Sequence, residues 1–211
     1  LEAILAIFVA DNLACVKQDR WLFEQLSFSL EGGELLYVEG QNGAGKTSLL
    51  RMLCGLSQPN IGQIYFEQLP IQNHPDFFNQ LIFIGHKSGN SVRLSARENV
   101  IFWCHQHQIA VNEPQVLDCL CRLGLVGLED LPVYQLSAGQ ERRVALARLW
   151  LKPAKIWILD EPYTALDVQV ITLLNARIAE FVGQGGIVIM TSHQSPQLDC
   201  KMRSLTLEYR L

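Results

Sequence analysis

The stretch Leu35-Leu36-Tyr37-Val38-Glu39-Gly40-Gln41-Asn42-Gly43-Ala44-Gly45-Lys46-Thr47-Ser48 decides the fold. Leu35 to Val38 is an unbroken apolar run, the pattern of a strand buried on both faces. From Lys46 to Cys54 the apolar residues fall at helical spacing, and Gly55 ends the run. Between strand and helix, Gly40 to Thr47 fits G-x-x-x-x-G-K-S/T in the context that this pattern requires. Its glycines let the backbone curl until successive N–H groups face one anion, and the helix start adds the positive end of its dipole. With glycine at about 7% of residues in ordinary proteins, the full pattern arises by accident in well under ~1% of chains this size. The expectation is a phosphate cradle made by Gly40, Gln41, Asn42, Gly43, Ala44, Gly45, Lys46, Thr47 and Ser48. Lys46 would reach the β- and γ-phosphates, and the Thr47 hydroxyl would ligate Mg²⁺.

Upstream of the loop, Leu26, Phe28 and Leu30 alternate with polar residues as in a half-buried strand, and Glu31-Gly32-Gly33 turns into the buried run. Downstream, Ile61 to Phe66 and Leu81 to Ile84 read as further strands. Ser95-x-x-Glu98 is a capping box that opens a helix, a second helix runs from Glu113 to Leu123, and a helical insertion is expected at about 93–138. Its apolar residues Phe102, Trp103, Val116, Leu117 and Leu120 are expected to pack mainly among themselves. Strand, helix and strand return at Ile156 to Leu159, Val168 to Val182 and Ile187 to Met190. The expected architecture is α/β, a mostly parallel sheet flanked by helices, in one domain over 1–211.

Ile156-Trp157-Ile158-Leu159-Asp160-Glu161 ends a buried strand in two carboxylates. Standing alone, the pair could also be read as a cap of a strand or helix. Beside a phosphate loop, Asp160 is expected to bind Mg²⁺ and Glu161 to polarise the attacking water as general base. No Asn-Lys-x-Asp element for reading guanine occurs, which favours adenine.

Leu136-Ser137-Ala138-Gly139-Gln140 precedes a helical run from Glu141 to Leu151, with Ser137 and Gln140 spaced as a capping box. Together with the loop and the acidic strand, it resembles the LSGGQ signature of the ABC ATPase superfamily, with Ala138 in place of a glycine. The resemblance implies an ATP-hydrolysing P-loop core with an antiparallel β part, and ATP and Mg²⁺ as cofactors. It also implies a head-to-tail pair of copies, in which Ser137, Gly139 and Gln140 of one meet the nucleotide held by the other. Thr164-Ala165-Leu166-Asp167 matches the loop that crosses such an interface. His193 matches the histidine that contacts the γ-phosphate and holds Glu161 and the water in line. Ala138 is expected to be tolerated where no positive φ is needed.

Two positions depart from the superfamily. At the end of the strand before the insertion, Ile84-Gly85-His86 places histidine where glutamine is usual, and histidine still donates or accepts a hydrogen bond. His86 therefore joins Lys46, Glu161 and His193 as a candidate catalytic residue. The aromatic that usually stacks on adenine is missing around Lys17, and Trp21 is the nearby substitute, although an aromatic beside a strand is more often core.

Ile84-Gly85-His86, Arg93 to Ala96, Glu98-Asn99, Leu136 to Leu151, Trp157 to Pro162 and Thr191-Ser192-His193-Gln194 are together similar to the ATP-binding subunits of bacterial cytochrome c maturation, the haem exporter family. That likeness implies a peripheral subunit on the cytoplasmic face of the inner membrane. Its partners would be integral membrane permease subunits, and its work haem export or release of a haem-loaded chaperone. The exposed groove of the insertion is the expected dock for the permease. No haem site is legible, since His105 and His107 lie two apart on a helix and face different ways. The alternative is the ATPase of another small ABC exporter, with the same catalytic residues and a different permease.

Composition agrees with these readings. Lys and Arg number 17 against 21 Asp and Glu, and the net charge of -4 leaves no basic footprint for nucleic acid. Although 49% of residues are hydrophobic, no apolar run approaches the ~18 residues that span a bilayer. Leu1 to Ala10 is apolar but lacks a basic leader and a small-residue cleavage site, so it reads poorly as a signal peptide. The 6 cysteines form no CxxC pair and read as reduced, buried thiols of a cytosolic protein.

Overall fold

The computed structural model describes residues 7–192 and 198–209. Strands β1 (Phe8–Lys17), β2 (Arg20–Leu30) and β3 (Leu35–Gly40) lead into helix α1 (Lys46–Leu53). Next come β4 (Ile61–Phe66), β5 (Leu69–Pro70), β6 (Leu81–Ile84), α2 (Ala96–Gln106) and α3 (Glu113–Arg122). The chain continues through α4 (Ala138–Leu146), α5 (Arg148–Leu151), β7 (Ile156–Leu159), α6 (Val168–Gly183), β8 (Ile187–Thr191) and β9 (Met202–Leu207).

A parallel sheet has the order β6-β7-β8-β3-β9, and an antiparallel sheet the order β2-β1-β4-β5. Every residue of β7 and β8 is buried, as continuous apolar strands must be when both faces are covered. The period of two divides the core into two layers. Leu36, Val38, Ile156, Ile158, Ile187 and Ile189 pack with α1 and the antiparallel sheet. Leu35, Tyr37, Trp157, Leu159, Val188 and Met190 pack with the helices on the other side. The phosphate loop and the ends of β6, β7 and β8 all fall at the carboxyl edge of the parallel strands, where such sheets bind ligands.

The capping boxes expected at Ser95 and Ser137 both form, and Asn112 with Gln115 makes a third. The expected helix over Glu141 to Leu151 divides at Ala147, where the turn tightens and the Trp150 N–H donates to the Ala147 carbonyl. Within the insertion, the expected packing of its apolar residues among themselves is only partial: Val116 and Leu120 are buried in the core that also holds Trp157 and Met190 of the sheet, whereas Phe102 is 53% and Leu117 36% exposed. Trp103 stacks on His107, and His105 is exposed, so the two histidines do point apart.

Cys15, Cys54, Cys104 and Cys119 are buried, Cys200 is half-buried, and Cys121 is exposed on the opposite side of α3 from Cys119. All are free thiols. Among the described residues, no helix is long and apolar enough to cross a membrane.

Candidate nucleotide site

Three glycines in the left-handed region shape the phosphate loop: Gly40 at φ 147°, Gly43 at 81° and Gly45 at 103°. A Cβ on Gly40 would stand 2.4 Å from the Leu207 carbonyl oxygen, and one on Gly45 would stand 3.1 Å from the Leu22 side chain. Strand β9 and the β1–β2 hairpin therefore both pack closely against the loop. No side chain caps α1, so its first N–H groups face the loop as an anion-binding end. Lys46 Nζ donates to the carbonyls of Gly40 at 2.6 Å and Gln41 at 3.2 Å, which holds the ammonium across the loop.

An open cavity of about 400 Å³ lies over the loop, lined by Leu22, Asn42, Gly43, Gly45, Lys46, Thr47, Ser48, His86, Asp160 and Glu161. The fold thus gathers the loop, the acidic strand end and the histidine after β6 around one space. Gly40, Gln41 and Ala44 shape the loop's backbone behind that lining.

Asp160 is only 2% exposed. Its Oδ1 accepts from the Thr191 hydroxyl at 2.8 Å, and the same Thr191 oxygen accepts from the Glu161 N–H at 2.9 Å. Asp160 Oδ2 is buried with no hydrogen-bond partner among the described residues. A lone buried carboxylate oxygen is costly, and with the Thr47 hydroxyl lining the same cavity it offers the oxygen donors that a hard divalent cation takes.

Glu161 sits at φ 50°, a region that residues with a Cβ rarely occupy. Its main chain is clamped on both sides: Thr191 holds the N–H, and Arg142 Nη2 donates to its carbonyl at 3.0 Å. Arg142 Nη2 also donates to the Asp160 carbonyl at 2.8 Å, and Nη1 to the Gly85 carbonyl at 2.6 Å. Burial pulls the Arg142 pKa down, and the charges of Asp160 and Glu161 oppose that pull. Sequence reasoning gave neither Arg142 nor Thr191 a role of its own. The available signals were a hydroxyl closing an otherwise apolar strand and a basic residue on the buried face of α4.

Ser137, Gly139 and Gln140 do not line the cavity. Ser137 Oγ accepts from the Gln140 N–H at 3.2 Å, and Gln140 Oε1 from the Ser137 N–H at 2.8 Å. A Cβ on Gly139 would lie 2.3 Å from the Ala165 carbonyl oxygen, so the close approach of that loop demands glycine. Ala138 begins α4 and has no positive φ, so alanine fits there without strain. Asp167 caps α6 through the Val170 N–H and pairs with Arg143, and those contacts hold its carboxyl below the usual range.

His86 is exposed at the cavity wall. Just after it, the Ser88 hydroxyl donates to the Glu141 carboxylate, Asn90 Nδ2 donates to the Glu141 carbonyl at 2.9 Å, and Arg148 Nη2 donates to Asn90 Oδ1 at 3.1 Å. These bonds tie the segment after His86 to α4 and α5. His193 lies outside the described residues. Trp21 is not part of the cavity lining; it pairs with Val16 on β1.

Residues 23–164 match the ABC transporter family. Over 205 residues the chain is 46% identical to the cytochrome c biogenesis ATP-binding export protein CcmA of Escherichia coli strain K12, spanning 96% of this chain and 97% of that one. The chain belongs to the CcmA family of ABC ATPases. The CcmA protein of Vibrio cholerae is also 46% identical, over 198 residues that cover 93% of this chain and 96% of that one. Among solved structures, a putative ABC transporter ATP-binding protein from Pyrococcus furiosus superposes with a TM-score of 0.81 at 26% identity, covering 95% of this chain and 96% of that one. The ATP-binding cassette MJ0796, solved as a dimer with ADP and phosphate, shares the fold with a TM-score of 0.81 at 22% identity over 97% of each chain. As a CcmA-family chain, this protein is an ATPase of the kind that serves cytochrome c biogenesis.

Proposed function

We propose that two copies of the chain close head to tail over two ATP molecules, and that the cycle drives a permease of cytochrome c maturation at the cytoplasmic face of the bacterial inner membrane. The observation that supports the dimer is the separation of Ser137, Gly139 and Gln140 from the cavity lined by Lys46, Asp160 and Glu161. A capped helix start is an anion-binding element, and the phosphate it meets is the neighbour's. With a net charge of -4, nucleic acid has no part in this reading.

The ATP phosphates lie in the loop from Gly40 to Ser48, where backbone N–H groups and Lys46 offset the charge of the β- and γ-phosphates. Thr47 and Asp160 would hold Mg²⁺, whose charge favours phosphoryl transfer, and the orphaned Asp160 Oδ2 fits that duty. Glu161 takes a proton from the attacking water, its carboxylate aimed by the two clamps on its main chain. The water oxygen bonds to the γ-phosphorus as the bond to ADP breaks, and ADP and phosphate result. His193, by its place in the sequence, completes the set at the γ-phosphate. His86 passes the state of the cavity through Ser88 and Asn90 to the signature helix and the insertion, where the permease docks. The movement is expected to drive haem export or release of a haem-loaded chaperone.

Deletion followed by a haem stain of membranes tests the pathway. Loss of c-type cytochromes is expected, restored by the intact chain and not by Lys46→Ala. Normal cytochromes c, with recovery of a drug or polysaccharide permease in the purified complex, would assign the chain to another small ABC exporter instead.

A further inference from the structure

On the nucleotide reading, the γ-phosphate faces Asp160, Glu161 and His86, which share the cavity's lining with Leu22, Asn42 and Gly43. The base of that nucleotide then leaves past Leu22, Asn42 and Gly43, away from the acidic strand end. Two side chains from opposite ends of the chain meet there. Arg20 donates from Nη2 to the Gly43 carbonyl at 3.2 Å and from Nη1 to the Tyr209 hydroxyl at 2.9 Å. Its guanidinium carbon lies 4.2 Å from the centre of the Tyr209 ring. That ring in turn comes within 3.3 Å of where a Cβ on Gly43 would stand.

The strand register explains why arginine holds this place. Arg20 pairs with Lys17 on one face of the hairpin, and Trp21 pairs with Val16 on the other. A register shift between Cys15↔Phe23 and Val16↔Trp21 leaves Leu22 unpaired, and the resulting bulge brings both Leu22 and Phe23 against Gly45. Trp21 is thereby directed away from the loop. Arg20 is half-buried and Tyr209 is 42% exposed, so the pair, which stands just outside the cavity's lining, keeps open surface beside Gly43.

We propose that Arg20, braced by Tyr209, is the flat surface on which the purine ring of the bound nucleotide stacks; this rests on the nucleotide reading of the cavity. A guanidinium is planar and weakly hydrated, and it stacks on π faces as an aromatic ring does. Because both terminal nitrogens are already held, little further side-chain freedom is lost when a base settles on it. The surface reads a base by its face, so it separates nucleotides from bare polyphosphate.

The test is calorimetric titration of the purified chain with Mg·ATP and with Mg·tripolyphosphate, which has the phosphates and no base. Arg20→Ala is expected to weaken ATP binding about tenfold, equivalent to ~1.4 kcal/mol, and to leave tripolyphosphate within about twofold. Arg20→Tyr restores ATP binding, whereas Arg20→Lys, which keeps charge without the plane, does not. Tyr209→Ala gives a smaller loss with the same selectivity for ATP. Equal losses for both ligands would overturn the proposal by showing that Arg20 only holds Gly43 in place. An unchanged ATP affinity in Arg20→Ala, or rescue by lysine and not by tyrosine, would overturn it as well. A parent chain that binds neither ligand would overturn the phosphate site itself, and this proposal with it.

Discussion

Arg142, on the signature helix, donates through one nitrogen to the main-chain carbonyls of both Asp160 and Glu161, at 2.8 and 3.0 Å. Its other terminal nitrogen holds the Gly85 carbonyl, next to His86. A single buried guanidinium thus joins α4 to the ends of β6 and β7. The helix that would serve the neighbouring nucleotide is mechanically tied to the proposed base that activates water against its own.

Arg142→Met removes that tie and leaves buried carbonyls unpaired, at ~1–3 kcal/mol each. Glu161, already at φ 50°, loses half of its clamp. Turnover is expected to fall roughly tenfold to a hundredfold through mispositioning, with Kd for ATP nearly unchanged and a lower Tm. Steady-state kinetics alongside ATP titration checks this; equal losses in affinity and turnover would place Arg142 in binding rather than positioning.

Thr191 is fully buried and serves two partners with one oxygen. Thr191→Val is expected to destabilise the fold by ~1–3 kcal/mol and to slow hydrolysis, whereas Thr191→Ser keeps both bonds and most of the activity. Denaturant melts and phosphate release, measured together on both variants, separate the hydroxyl from the methyl.

Gly139→Ala forces a Cβ against the Ala165 carbonyl, 2.3 Å away. The signature loop must shift, so turnover is expected to fall while ATP affinity stays near the parent value, because Gly139 does not line its own cavity. Ala138→Gly, one residue earlier, is expected to change turnover little. A matching loss of ATP affinity in Gly139→Ala would argue that the signature acts within its own chain.

Thiol labelling reads out the packing of α1 and of the insertion. Burial pushes the Cys54 and Cys104 thiols up to about 11 and Cys119 up to about 12, and only the thiolate reacts. At pH 8 the exposed Cys121 is expected to label first, and Cys121→Ser to remove that fast phase. Reactivity of Cys54, Cys104 and Cys119 should stay negligible below their raised pKa values unless the chain unfolds. Rapid labelling of Cys119 would contradict the packing of α3.

Much of the site was legible because its signals are local. The loop, the acidic strand end and the two expected capping boxes are each written within a few consecutive residues. Strand β1 was not read, because Asn12 at φ 49° and several register shifts break its alternation. Strand β9 was missed because it is an edge strand whose only buried residue is Leu207. Arg142, Thr191 and the Arg20–Tyr209 pair act through partners far away in sequence, so their letters were visible while their contacts were not. The role given to His193 rests on its place in the sequence.

Glu161→Gln tests the central claim most directly. With Mg·ATP added, turnover and molar mass by light scattering are measured on the same sample. The expected result is a fall in hydrolysis of at least about a hundredfold, with ATP still bound and the mass doubled, because the water has lost its base while the phosphate contacts remain. Hydrolysis at the parent rate, or a chain that binds ATP and stays monomeric, would contradict a composite site in which Glu161 is the base.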